Sequence, residues 1–458
     1  MSDVISALVL GRDGQELWSG AETDLEKFIS SVAEGNTALR AMAHDESLLR
    51  CSKSEVMRAA ETLEFISRKG MPKGFLATLP SGNFFKASVD AFNLPHLKEL
   101  KTNSIDFPLV FNGSSKAMTE LIDPYVRQGR TFELGGRDEL MLSYAADPNL
   151  FSWLQGSRLD PKQLPYAVYS PQPVFRNFRS GELSIQRTRQ FVVPDIHIVA
   201  DQDSASDEYI HGVELAVEST RFWFGEDFVH VLDSVVGSAN DTEEFYARVG
   251  KATAGITVVR RLAQRPKYYA QKTGIMLWSG YDNVMLYNLQ LDEVNPVRFD
   301  IRVDGGGHPT VIHACVAMGL SRMLPILLGR GIAGISEKTF PVELSANQVT
   351  VFPLTPGNMP RARAVEDELN DAGVRTRIDM EFNSQIGARV TKLRRLWEAK
   401  YVVVGDREMD SLPLIEDVSR SVKPTTIDSF IGLHGDRIRR CAPSFLPHHR
   451  PLPFLSEN

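Results

Sequence analysis

The chain has 458 residues, 43% hydrophobic and 24% charged, enough to bury the cores of two or three soluble domains. A formal charge of −7 excludes an extensive nonspecific phosphate-binding surface and leaves room only for a local basic patch. Cys51, Cys315 and Cys441 form no CxxC pair and no disulfide framework. The apolar run from Met318 to Leu328 is broken by Ser321, Arg322 and Pro325 before it reaches membrane-spanning length.

The N-terminal apolar run has no basic leader and stops at Gly11-Arg12-Asp13, so a cytoplasmic, unprocessed protein with no membrane partner is expected. Residues 1–75 read as a small appendage, with a strand from Ile5 to Leu10, a turn at Asp13-Gly14 and helices through Asp24 to Ile66. Residues 76–335 mix strands and helices without regular βαβ alternation. A hairpin over 171–200 and a strand from Asn283 to Asp292 suggest an antiparallel sheet. Between them Ser204 and Asp207 form a capping-box pair, and Ile210, Val213, Val217, Thr220 and Phe224 share one helix face.

Over 346–420 the pattern changes to α/β alternation. Gln348 to Pro353 reads as a strand, Ala362 to Ala372 as a helix closed by Gly373, and Val374 to Met380 as a strand. A basic helix from Gly387 to Lys400 and a strand from Tyr401 to Gly405 complete it. Residues 421–458 read as an irregular tail, proline-spaced from Pro443 onward. The fold class is α+β, an antiparallel sheet flanked by helices followed by a small α/β domain.

The chemistry concentrates in two stretches. Phe175-Arg176-Asn177-Phe178-Arg179-Ser180-Gly181-Glu182, then Arg187-Thr188-Arg189 and Asp195-Ile196-His197, places arginines around a polar loop between two strands. Such a hairpin can hold ATP beside an amino acid, because guanidinium groups present fixed forks of donors to phosphate. Far downstream, Pro309 through His313 leads to Gly319-Leu320-Ser321-Arg322. An unpaired Arg322 in an apolar helix is costly, so it meets either a bound anion or a structural acid. Arg187 and Arg189, spaced by two on a strand, share one face and turn either to the γ-phosphate and adenine or to solvent.

The two stretches resemble motifs 2 and 3 of the class II aminoacyl-tRNA synthetases, in the threonyl and prolyl subgroup, and Phe107-Pro108 resembles motif 1. The resemblance, over residues 100 to 410, implies a class II catalytic domain followed by an anticodon-binding-like domain, a homodimer, and ATP and Mg²⁺ as nucleotide and metal. It gives Arg176 the α-phosphate, Arg322 the far end of ATP, and Asp195 and Gln290 the amino acid. Asp195, beside a cationic ligand, is expected to keep a depressed pKa. Asp292 and Asp304 are acids suited to magnesium. Two departures stand out, Phe178 where the family has an acid and Ser321 where threonyl forms have Glu.

Threonyl-tRNA synthetases hold Zn²⁺ with one Cys and two His. Here His197 and His313 match the histidines, and the segment from Leu142 to Asn149 puts Asp147 at the cysteine. Asp147, His197 and His313 are competent zinc ligands that leave a position open for substrate. Cys315 is an alternative ligand if it shares the face of His313, and otherwise a small buried residue. The reading is an enzyme that activates threonine, serine or a β-substituted amino acid as an adenylate. The acyl group passes to tRNA, a carrier protein or a small amine. Residues 1–75 are short beside the N-terminal region of typical threonyl enzymes, which favours a specialised paralogue. The alternative is a catalytically silent paralogue that binds amino acid or tRNA and regulates a partner.

Overall fold

The computed structural model describes residues 4–443 except 34, 49, 136–138, 316–318, 399, 407–412 and 419–420. The described residues divide between two compact units, one drawn from 1–53, 72–75 and 95–326 and the other from 54–71, 76–94 and 327–458.

The first unit is built on a large sheet. In chain order its strands are β1 (Val4–Leu10), β2 (Glu16–Gly20), β3 (Asn103–Ser104), β4 (Tyr166–Phe175) and β5 (Gln190–Ala200). They continue as β6 (Val229–Val235), β7 (Thr257–Leu262), β8 (Tyr269–Trp278), β9 (Asn283–Asp292) and β10 (Thr310–Cys315). Among the described residues the spatial order is β2-β1-β7-β6-β8-β9-β10-β5-β4-β3. Pairing is antiparallel except between β6 and β7 and between β4 and β3. The N-terminal stretch is therefore no separate appendage: β1 pairs with β7 and extends the sheet. Its apolar residues Ala7 and Val9 join Leu25, Ile29 and Leu39 in one core, which makes burial rather than chain position decide its place.

The helix Ala205–Phe224 buries Ile210, Val213, Val217 and Thr220, as the spacing predicts, with Trp223 rather than Phe224 completing the stripe. Its start differs from the expected capping box. Ser204 makes no side-chain cap, and its N–H donates instead to Asp201 Oδ1 at 2.8 Å. Gly225, at φ 62°, ends the helix and donates to Arg221 O. Gly212 allows the helix to approach β9, since a Cβ there would lie 2.6 Å from Leu289 Cδ2.

The second unit carries β11 (Val349–Pro353), β12 (Thr376–Ile378), β13 (Lys400–Val404), β14 (Leu414–Val418) and β15 (Ser421–Thr425) in the order β12-β11-β13-β14-β15. The first three are parallel, as expected for α/β alternation, and the last two add antiparallel pairs. The basic helix is Ile386–Arg395 and stops short of Lys400, with Trp397 in the left-handed region at φ 58°.

Residues 421–440 are not irregular. They form β15 and the helix Ile427–Arg440, which has Thr426 as its N-cap, and whatever lies beyond 443 is outside the described residues. Ile427, Phe430 and Ile438 close the core formed by Val349, Val351 and Val402. This is a helix period hidden among prolines and charges. Phe430 is 1% exposed, so Phe430→Ala should cost about 3–5 kcal/mol in the denaturant transition of this unit. An unchanged midpoint would mean the helix is peripheral.

Candidate functional site

Direct cross-strand partners share a sheet face, and here one transverse row runs over seven strands: Val168, His197, His313, Gln290, Lys272, Asp233 and Arg260. A second row on the same face, two residues along each strand, holds Ser170, Asp195, Cys315, Asn288 and Gly274. Strand alternation thus brings Asp195, His197, His313, Cys315 and Gln290 to one surface.

Asp147 reaches that surface from outside the sheet. It opens the helix Asp147–Leu154 with Pro148 behind it, and the helix N-terminus favours a negative charge there. Ser143 N–H donates to Leu109 O and Phe175 N–H to Ser143 O, which ties this segment to the end of β4.

Asp147, His197 and His313 place one ligand atom each within 4.8 Å of one another, all buried. Asp147 Oδ1 lies 2.7 Å from His313 Nδ1 and 3.8 Å from His197 Nε2, and the two rings stand edge to face at 4.9 Å. Nδ1 of each histidine is buried without a hydrogen-bond partner, so the 2.7 Å approach lacks the angle of a hydrogen bond.

Burial alone would push the Asp147 pKa up, but the two histidines hold it well below the usual carboxylate range. Burial would likewise lower His313, yet Asp147 and Asp292 raise it to about 10. Protonation of His313 is thereby favoured, and a cation bound at Nδ1 would have to displace that proton. One carboxylate and two imidazoles suit Zn²⁺ and other borderline divalent ions.

Asp195 is 6% exposed, and its pKa is raised by burial and by Asp147, against the lowering by His197. The expected depressed value is not found, because burial outweighs the neighbouring imidazole. Its Oδ1 accepts from the Cys315 thiol at 2.7 Å, which takes Cys315 out of the ligand set although it shares the face of His313.

The arginines form a second feature. Arg176 donates through Nε to Tyr144 O at 3.1 Å, and its guanidinium lies over the Tyr125 and Phe191 rings at 5.7 and 5.3 Å. Arg322 sits in a π-helical turn, Gly319–Met323, and among the described residues it makes no salt bridge, Asp282 being the carboxylate that acts on its charge. Burial and then Arg176 and Arg187 lower its pKa to about 10. Arg176 and Arg187 thus add like charge around the buried Arg322 guanidinium.

Arg189 is not part of this group. Nε and Nη2 donate to Phe178 O at 3.2 and 3.1 Å and Nη1 to Lys73 O at 3.3 Å, while its own N–H bonds Gly74 O. The period-two expectation fails because β5 begins at Gln190, and Ser184 to Arg187 closes its own tight turn. Arg187 stays exposed, 3.9 Å from Glu182. Glu182 also takes the Arg130 fork at 2.8 and 2.6 Å and the Arg179 N–H at 2.9 Å, and Arg130 lies 4.8 Å over the Phe178 ring.

Neither acid named for magnesium pairs with Arg176, Arg187 or Arg322 among the described residues. Asp292 is fully buried, 3.0 Å from His313 Nε2, and the exposed Asp304 lies 3.9 Å from Arg158. The residues present do not fit a magnesium site at those positions. Sequence reasoning missed Asp292 as a partner of His313, although strand alternation from Gln290 already put it on the same face. Tyr268, 5.1 Å from the His313 ring, and the half-buried Lys272 beside Gln290 were also missed.

Residues 131–330 match the tRNA synthetase class II core domain (G, H, P, S and T) and residues 348–428 the anticodon binding domain. The chain thus carries a tRNA synthetase class II core domain followed by an anticodon binding domain. Its curated relatives include the threonine–tRNA ligases of Methanosphaerula palustris, 25% identical over 384 residues, and Pyrococcus furiosus, 23% identical over 411 residues. The matches cover 81% and 84% of this chain, which spans only 61% and 63% of those relatives. Similar solved structures are the RNA-binding domain of threonyl-tRNA synthetase from Cryptosporidium parvum and the prolyl-tRNA synthetase of Giardia lamblia with prolyl-adenylate. Their TM-scores are 0.67 and 0.66, at 19% and 14% identity, covering 84% and 86% of this chain and 98% and 82% of theirs. The likeness to these structures establishes the fold. Among the described residues no helix is long and apolar enough to cross a membrane.

The arginine geometry separates a structural from a ligand-facing role. Arg189→Ala should cost about 1.5–3 kcal/mol through its lost carbonyl contacts and speed hydrogen exchange over Phe178 to Leu183, whereas Arg187→Ala should leave both unchanged. Equal effects of the two changes would overturn this division.

Proposed function

We propose that the chain activates a small α-amino acid with a β-heteroatom, threonine, serine or a β-substituted relative, using ATP. The observation that carries this is the charge arrangement: buried acids and two histidines on the sheet face, with Arg176 and Arg322 beside them. An amino acid is complementary to it, the N–H groups of its amine toward Asp195 and Gln290 and its carboxylate toward Arg176.

The substrate carboxylate oxygen attacks the α-phosphorus of ATP, the bond to the pyrophosphate oxygen breaks, and pyrophosphate leaves with the electron pair. Arg176 stabilises the charge that develops on the α-phosphate oxygens, and Arg322 and Arg187 hold the outer phosphates. Asp147, His197 and His313 would hold a zinc ion, which supplies a Lewis-acid contact to the amine and β-heteroatom. The acceptor then attacks the acyl carbonyl and AMP departs. The anticodon-binding domain favours tRNA as that acceptor, with a carrier protein or small amine as the other choices. One observation favours the silent-paralogue reading: Phe178 carries no acid, and Glu182 is committed to Arg130.

Amino-acid-dependent pyrophosphate exchange decides between the two. Arg176→Ala should lower it by on the order of 10²-fold or more with the fold intact, and unaltered exchange would remove Arg176 from the reaction. Absence of exchange with every small amino acid would support the silent paralogue.

The donor set gives a separate test. Asp147→Ala should weaken divalent-metal uptake by more than the about 10–100-fold that loss of an outer partner costs. Asp147→Cys should retain uptake and add a thiolate charge-transfer band with Co²⁺. Equal uptake in Asp147→Ala and the unsubstituted protein would exclude the carboxylate as a ligand.

A further inference from the structure

Resting on the reading of Asp147, His197 and His313 as a metal-binding set, we propose that Asp292 is its positioning residue, fixing His313 with the proton on Nε2 and the Nδ1 lone pair toward the ion. Asp292 ends β9, two residues beyond Gln290, and is fully buried. Four donors converge on its carboxylate. Oδ1 accepts the main-chain N–H groups of Val294 and Asn295, both at 2.9 Å. Oδ2 accepts Asn295 Nδ2 at 2.6 Å and lies 3.0 Å from His313 Nε2. Asn295 is held in turn by Arg298 Nη1, and Arg298 Nε reaches Glu120 at 3.1 Å.

An ionised carboxylate only accepts hydrogen bonds, so the ring nitrogen facing it must be the donor. The other nitrogen, Nδ1, is the one beside Asp147 and without a hydrogen-bond partner. A ligating histidine backed by a carboxylate has its tautomer and ring plane set before the ion arrives. Main-chain N–H groups fix this carboxylate, so it cannot swing away to relieve a misplaced ring.

The substitution Asp292→Asn makes the idea testable. A carboxamide has one oxygen for four donors. With that oxygen kept by the two main-chain N–H groups, its NH₂ faces His313 Nε2, which must accept. The ring proton then moves to Nδ1 and blocks the atom facing the metal set.

Full-length protein, stripped of metal, is titrated with Co²⁺ and the d–d absorption followed, with Zn²⁺ competition giving affinities. Nitrogen-15 spectra of the Zn²⁺-loaded histidines read which ring nitrogen carries the proton. Asp292→Asn should weaken binding about 10–100-fold, and the unsubstituted protein should show His313 protonated at Nε2. Asn295→Ala, which leaves the carboxylate but removes one clamp, should show a smaller loss and serves where Asp292→Asn does not fold. Uptake by the unsubstituted protein with equal affinity in both variants, or with His313 bound through Nε2, overturns the proposal alone. No uptake by the unsubstituted protein overturns the metal reading and the proposal with it.

Discussion

The register that sets His197 on β5 directly opposite His313 on β10 is the constraint on which the site depends. A slip of one residue would turn both histidines to the opposite face and replace them with Ile196, Ile198, Ile312 and Ala314. Those four are buried, so the slip would also take apolar area out of the core. The register is fixed by hydrophobic burial on one face, and the polar row on the other face inherits it. Asp195, Cys315 and Gln290 are carried into place by the same alternation.

Around that row some charges are paired, Asp147 with the two histidines and Asp233 with Arg260, while others stand apart. Asp147 and Asp195 are buried on the sheet face, while Arg176 and Arg322 stand beside them without salt bridges among the described residues. Arg176 is supported by two aromatic faces and one carbonyl, an arrangement that orients a guanidinium while leaving other N–H groups for a ligand. The raised pKa of Asp195 and the lowered one of Arg322 have a common origin in burial with incomplete counter-charge. A ligand carrying both signs relieves both. By contrast Arg130, Arg179 and Arg189 are neutralised or bonded locally, and they shape the hairpin loop.

Much of this was legible in the sequence. The α+β architecture, β9 from Asn283 to Asp292 and the buried stripe of the helix Ala205–Phe224 follow from periodicity, and the convergence of Asp147, His197 and His313 from the resemblance to the threonyl enzymes. What was not legible depends on tertiary contacts. The place of β1, between β2 and β7, needs a pairing with a strand far away in sequence. The role of Arg189 turns on the carbonyls of Phe178 and Lys73, and that of Asp292 on the depth of His313. The helix Ile427–Arg440 was hidden because its buried face uses only Ile427, Phe430, Gly435 and Ile438 among many charged residues.

The exchange of a thiol for Asp147 changes less of the framework than its chemistry suggests. The residue opens a helix whose N-terminus stabilises a carboxylate as it would a thiolate. A carboxylate, however, presents two hard oxygens, and one of them already meets both histidines. Softness of such a ligand would not supply selectivity for an ion. If the proposed ion binds, that task would fall on geometry, on the ring of His313 packed against Phe151 and Tyr268 at 5.8 and 5.1 Å and tied behind to Asp292. A site with less chemical discrimination in one ligand needs the others held more rigidly, and the packing around His313 would do this.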